Sequence, residues 1–433
     1  MDTSERHVSP TPGFAMPAGL RRFFRTEQAG AVVLVGAALV ALAWANSPWQ
    51  AAYASLWSTE LSLHLGGITI STDVRHAVNE GLMALFFFIV GLEIKRELVA
   101  GELRSWRTAA LPAIAALGGM VVPAVLYLAV VAAAGAGDAL QGWGVPIATD
   151  IAFAVGVVAL LGDRVPASLK LFLLSLAIVD DIGAIVVIAV FYSAGVDIGA
   201  LAVAAVLLAG VLVLRKVGVV WVPAYVVVGT AVWLALFQSG VQAAIAGALL
   251  GLIAPATPVA PAAVAREWTA DLSDEPDAEE LQAMTRLARS TVSVAERLEQ
   301  GLHPFVSFVV LPLFALANAG VVLDAGLFDS PGAPAVAAGV MLGLVVGKAL
   351  GISTFSWLAV RTGLGSLPTG VGWGQLVGIG VTAGIGFTVS LLVAELAFAA
   401  PGLQRAAKAS VLIASAMAAL GGALLLRRSA PPS

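Results

Sequence analysis

Apolar stretches long enough to cross a hydrocarbon core recur along almost the whole chain, and no other feature restricts its fold as severely. Such a core is about 30 Å thick, which a helix covers in about 20 residues. Read at that length, the sequence holds twelve stretches, near 29–46, 77–98, 109–134, 144–162, 167–193, 197–215, 219–237, 240–255, 304–322, 335–360, 373–399 and 406–427. With 59% hydrophobic residues, 12% charged ones and a mean hydropathy of +0.96, the chain has too little polar surface for a soluble globule. The expected class is an all-α polytopic membrane protein of about 12 transmembrane helices in a lipid bilayer.

Basic residues orient these spans, because Lys and Arg near span ends stay on the cytoplasmic side. With the N-terminus inside, Arg21, Arg22, Arg25, Lys95, Arg96, Arg104, Arg107, Arg215, Lys216, Arg427 and Arg428 all fall inside. Of 23 basic residues only Arg75, Arg405 and Lys408 fall outside, and Lys348 stays within a span. Both termini are expected to be cytoplasmic. A net charge of −4 leaves no basic domain for nucleic acid. The absence of cysteine excludes disulfides and thiolate metal sites. "RRFFR" before the first stretch has a twin-arginine look, but eleven further spans favour a retained anchor.

The division expected is a disordered tail at 1–22, a membrane domain at 23–427 and a short tail at 428–433. "LSLHLGGITIS", residues 61–71, alternates around Gly66-Gly67 and reads as an external β-hairpin. A lone hairpin leaves an unpaired edge, so the same hairpin of a second copy would complete it as a homodimer. The long inner loop at 256–300 ends in a helix-like segment and suggests no chemistry of its own.

Four charges stand inside the apolar stretches: Asp150, Asp180, Asp181 and Lys348. Each costs about 2.5–3.5 kcal/mol at the centre of a span, so such groups mark ion or proton pathways. Helix neighbours point about 100° apart, so Asp180 and Asp181 must do different things. One would line a cavity and the other turn to a cation, and Lys348 is the intramembrane cation on offer. At 4 Å and an effective dielectric near 20, that pair gains about 4 kcal/mol.

Two stretches look broken. "GWGVPIATD" places Gly144, Pro146 and Thr149 before Asp150, and "GQLVGIGVTAGIGFTVS" carries Gly378, Gly380, Gly384 and Gly386. Interrupted helices supply half-helix ends and free carbonyls to a transported ion. "TDIAFAV" and "TAGIGFTV" echo each other, which suggests inverted repeats of spans three to five and ten to twelve, with spans 4 and 11 as broken, crossing helices.

Six motifs in order, "RHAVNEGLMALFFFIVGLEIKREL", "PIATDIAFAVGVVALLGDRVP", "LAIVDDIGAIVVIAVFY", "LPLFALANAGV", "GKALGIS" and "GIGFTVSLL", resemble the bacterial NhaA-type sodium/proton antiporters from about residue 25 to 427. That family is among those from which the broken-helix rule was drawn, so the two readings share a root. The resemblance implies an electrogenic, pH-regulated antiporter of the inner membrane, not an enzyme, that extrudes Na+ (and Li+) for protons without a cofactor. It implies that Asp181 is the principal sodium ligand and proton carrier, that Asp180 joins it and pairs with Lys348, and that Asp150 balances the half-helix ends with Thr149 beside it. It also implies a pH sensor matched by Glu93, Arg96, Glu97, Glu299 and His303. Gln242 and Gln300 stand where relatives often carry His, which puts the pH set-point in question. Glu299 and His303, four residues apart, are expected to share a helix face and attract each other.

Other readings fit less well. A sodium-coupled symporter of an organic anion would need a polar or basic pocket beyond Lys348. The G-x-G-D pattern of an intramembrane aspartyl protease occurs at Gly135 to Asp138, in an outer loop. A passive cation channel would not place a lysine beside its path.

Overall fold

The computed structural model describes residues 18–65, 68–193, 195–217, 222–257 and 291–429. Helix α1 (Ala18–Ala45) begins inside the expected N-terminal tail and leads through the short α2 (Gln50–Trp57) to strands β1 (Glu60–Leu65) and β2 (Ile68–Asp73). The strands pair antiparallel, with Glu60 opposite Asp73 and Leu65 opposite Ile68; Gly66 and Gly67 lie outside the described residues. Asp73 then starts the next helix, its Oδ1 accepting a hydrogen bond from His76 N at 2.7 Å.

That helix is α3 (Val74–Ala100), followed by α4 (Trp106–Ala133), a 3₁₀ segment (Gly137–Ile147), α5 (Ile151–Leu160), α6 (Ala167–Phe191), α7 (Ile198–Val217), α8 (Val222–Gln238) and α9 (Ala244–Ile253). Then come α10 (Val294–Asn318), α11 (Ala333–Arg361), α12 (Trp373–Thr382), α13 (Phe387–Ala397) and α14 (Pro401–Ser429). Among the described residues eight helices are long and apolar enough to cross a membrane, or ten with each bent pair counted as one span. The shorter α8 and α9 occupy the seventh and eighth expected stretches.

The ninth stretch starts well before its expected residue 304. Ser293 caps α10 by accepting from Glu296 N at 3.2 Å, a Ser-x-x-Glu start whose polar first turns hydropathy does not register. Most of the expected loop at 256–300 lies outside the described residues.

Small residues let backbones touch. A Cβ on Gly247 of α9 would lie 1.8 Å from the Ala84 carbonyl oxygen of α3, so only glycine fits there. In the same way Gly118 of α4 and Gly351 of α11 face each other, each Cβ position lying within 2.4 Å of the other's carbonyl oxygen. This contact sets the depth of Lys348, one turn before Gly351.

The two expected broken helices are present. The 3₁₀ segment and α5 meet at 48°, and α12 and α13 at 47°. Their breaks lie against each other: Asp150 N donates to Ile385 O at 2.6 Å, and Ser390 Oγ to Val145 O at 2.7 Å.

Candidate functional site

The breaks leave peptide groups without a partner in their own helices, and Asp150 gathers two of them. Its Oδ1 accepts from Phe153 N at 3.0 Å, capping α5. Its Oδ2 accepts from Thr388 N at 3.0 Å and Thr388 Oγ1 at 2.7 Å, at the start of α13. One buried carboxylate therefore faces the positive ends of two half-helices, the placement that helix dipoles favour.

Thr149 sits one residue earlier. Its hydroxyl lies 2.6 Å from Asp180 Oδ2 and 2.8 Å from the Ala383 carbonyl oxygen, so its single hydrogen serves two acceptors. Asp180 Oδ2 also accepts from Lys348 Nζ, in an ion pair whose two side chains are wholly buried. Asp181, next in the chain and equally buried, points elsewhere. It lines a narrow cavity with Thr149 and Asp150, while Asp180 does not. Asp181 Oδ2 has no hydrogen-bond partner among the described residues.

From Asp181 and Asp150 the cavity runs past Phe86, Ile89 and Val90 of α3 and Val306, Ser307 and Leu311 of α10 to Glu93, Glu27 and His303. An apolar wall with a few acids at each end suits a small cation that must enter and also leave. Gly384, in the second break, belongs to the same construction: a Cβ there would meet Leu344 O at 2.2 Å.

The comparisons with known proteins agree with this geometry. The family model described as Na+/H+ antiporter 1 matches residues 21–426. The chain belongs to this family.

Among its relatives, the Na(+)/H(+) antiporter NhaA of Rhodopirellula baltica is 46% identical over 421 residues, covering 95% of this chain and 94% of that one. The Na(+)/H(+) antiporter NhaA 2 of Myxococcus xanthus is 45% identical over 429 residues, covering 95% and 90%. The Na(+)/H(+) antiporter NhaA of Oleidesulfovibrio alaskensis is 44% identical over 435 residues, covering 97% and 96%.

The structure brings Asp150, Thr149, Asp180, Asp181 and Lys348 together at the breaks. Among the residues that the family resemblance groups as a sensor, Glu299 and His303 act on each other as expected, but each has a closer partner on another helix. Arg96 Nη1 donates to Glu299 Oε1, and its Nη2 lies 3.6 Å from Glu97 Oε1. His303 Nε2 instead pairs with Glu27 Oε1 at 2.5 Å. Four residues turn a helix by about 400°, so the two side chains of α10 diverge by about 40° and meet different neighbours, Glu299 facing α3 and His303 facing α1. Glu93 lines the cavity with His303, and Glu299 is not part of its lining.

Gln300 is exposed and bonds Glu296 Oε1 at 3.3 Å, outside the cavity lining. Gln242 is buried beside the start of α9, where Glu80 Oε2 accepts from Ala243 N at 3.0 Å.

Glu27, Glu80 and Glu395 escaped the sequence reading, as did the burial of Lys408: Glu27 closes the cavity end, Glu80 lies beside the start of α9, and Glu395 pairs with Lys408 at the end that bears the hairpin. Lys348 is therefore not the sole cation buried in a spanning helix, because Lys408 is buried too. Glu395 and Lys408 lie on the two helices joined by the short turn between α13 and α14.

Proposed function

We propose that this chain exchanges sodium for protons across a bacterial inner membrane, electrogenically and under pH control, with lithium as a second substrate. The observation that carries this reading is the Asp181 carboxylate, which lines the cavity with an unpartnered oxygen beside an Asp180 already held by Lys348. Sodium, a hard cation, takes oxygen ligands, and it competes with a proton for the same negative charge. Competition is the coupling. Asp181 carries the cation or the proton, Asp180 joins it, Lys348 balances the pair, and Asp150 with Thr149 holds the two breaks in register. More than one titrating group per sodium favours net charge movement, and Glu93, Arg96, Glu97, Glu299 and His303, with Glu27, govern access at the cavity end.

This reading includes twelve spans arranged as inverted repeats, because the bent pairs occupy corresponding places in the two halves. It includes a membrane domain at 23–427 with both termini cytoplasmic, supported by the basic-residue bias. A homodimer joined through the hairpins at 61–71 would pair the edges that a two-stranded sheet leaves open. No cofactor is called for, since the transported ions do the work and no bond in a substrate is broken.

Everted vesicles with an acid interior and a quenched pH dye test the proposal. Added sodium should dequench the dye, and potassium should not. Sodium uptake that moves no protons would overturn it.

A further inference from the structure

The end of the bundle opposite the cavity mouth holds a second buried polar cluster that the exchange site does not use. Lys408 Nζ donates to Glu395 Oε2 and, at 3.3 Å, to Asn318 Oδ1. Asn318 Nδ2 donates to Asn79 Oδ1 at 2.7 Å and to Phe314 O at 3.1 Å, which turns the Asn318 oxygen toward the ammonium. Asn79 lies in a π-helical turn, Val78–Leu82, a widening that recurs at functional sites.

The cluster continues the line of the cavity. Seven residues of helix are two turns, about 10 Å along one face. Leu311 lines the cavity and Asn318 lies seven residues on in the same helix; Thr388 binds Asp150 and Glu395 lies seven residues on in α13. Between the levels are Phe314, Ala315, Leu391 and Leu392, all fully buried. An apolar layer about two turns thick therefore separates the Asp150–Asp181 level from the Lys408 cluster.

We propose that Glu395 and Asn318 form a second cation site on the path between Asp181 and the hairpin end, and that Lys408 is the tethered cation filling it while that end is closed. The inference rests on the antiport reading. An ammonium and a sodium ion are both monovalent cations that bind carboxylate and carboxamide oxygens, so the group that seats one can seat the other. One carboxylate and one amide oxygen hold an ion weakly enough to release it, as a path requires. The same pairing occurs at the exchange site, where Lys348 occupies an oxygen of Asp180. Opening the apolar layer would expose Glu395 to a sodium ion arriving from Asp181, and Lys408 would swing aside and return behind it.

Half-saturating sodium, measured from each face of reconstituted vesicles, tests this. The chain has no cysteine, so an added Ser58→Cys, exposed beside the hairpin, reports which face is outward. Lys408→Met should lower half-saturating sodium several-fold from the hairpin face and leave the other face unchanged. Glu395→Gln, which keeps the shape and removes the carboxylate ligand, should raise it from the hairpin face alone. Equal shifts on both faces, or none in Glu395→Gln, would overturn the proposal while native exchange persists. Absence of sodium-driven proton movement in the native chain would instead remove the antiport reading.

Discussion

Lys348 Nζ meets Asp180 Oδ2 at a depth where neither side chain reaches the surface. Two opposite charges there neutralise each other, but each has given up its water, so the pair is stable only while both members are present. Lys348→Ala leaves Asp180 charged and buried with Thr149 as its remaining donor. The expected loss is about 3–5 kcal/mol, read as a lower melting temperature in detergent, with weakened voltage-driven exchange. A variant that melts with the native protein would show that the pair contributes nothing.

Asp181 makes the opposite prediction. Its Oδ2 has no partner among the described residues, so Asp181→Asn removes the titrating group without breaking a network. The melting temperature should hold, because the amide keeps the shape and no hydrogen bond among the described residues is lost. Sodium-driven dequenching should vanish, since an amide neither binds nor releases a proton. Exchange near the native level would sink the assignment of Asp181 as carrier.

Asp150 is expected to behave as a structural charge. Asp150→Ala strips the caps of α5 and α13 together, and each lost cap costs about 0.5–2 kcal/mol. Thr388→Val removes one side-chain donor and leaves the backbone N–H bond to Asp150, so it should cost less. Thermal melts of the two variants rank them, and the opposite order would contradict the capping role.

The main charges of the exchange site were legible because a charge in the middle of an apolar run is expensive wherever it points. Asp150, Asp180, Asp181 and Lys348 stood out on that ground alone. The breaks were legible from Gly144, Pro146, Gly384 and Gly386, residues that interrupt a helix or admit close backbone approach. Partners were harder to read. A spacing of four residues describes one helix, whereas His303 and Glu299 are claimed by Glu27 and Arg96 on two others. Glu27 and Lys408 lie near span ends, where a charge is cheap and draws no notice, although packing buries both. The π turns at Val78–Leu82, Val306–Val310 and Leu342–Gly347 left no trace in the hydrophobic pattern, because one extra residue per turn does not change composition.

Gly384 gives a prediction about shape. Ala at this position would place a methyl 2.2 Å from the Leu344 carbonyl oxygen, too close for any side-chain carbon, so the second break must move away from α11. That shift carries Ala383 O, which lies 2.8 Å from the Thr149 hydroxyl. Gly384→Ala should cut exchange at least ten-fold with the protein still inserted and folded. Native turnover would show that the break tolerates a wider spacing.

Glu27 and His303 make the final prediction, which separates a functional pair from two independent residues. They sit at the cavity end 2.5 Å apart, one on α1 and the other on α10, both lining the space that leads to Asp181. An ion pair exists only while the imidazole carries its proton, so the attraction between α1 and α10 depends on pH. Glu93 lines the same space, and Glu299 with Arg96 lies one helical turn from His303, so these charges also act on the imidazole. Glu27→Gln removes the carboxylate and keeps its size, and His303→Gln removes the titrating ring. If the contact is what senses pH, each single change should alter the dependence of exchange rate on pH in the same way. The double variant should then match either single one rather than show the sum, since contacting residues do not act additively. Rate against pH for the four proteins reads this directly. Additive changes would mean that His303 acts through Glu93 or Glu299 instead.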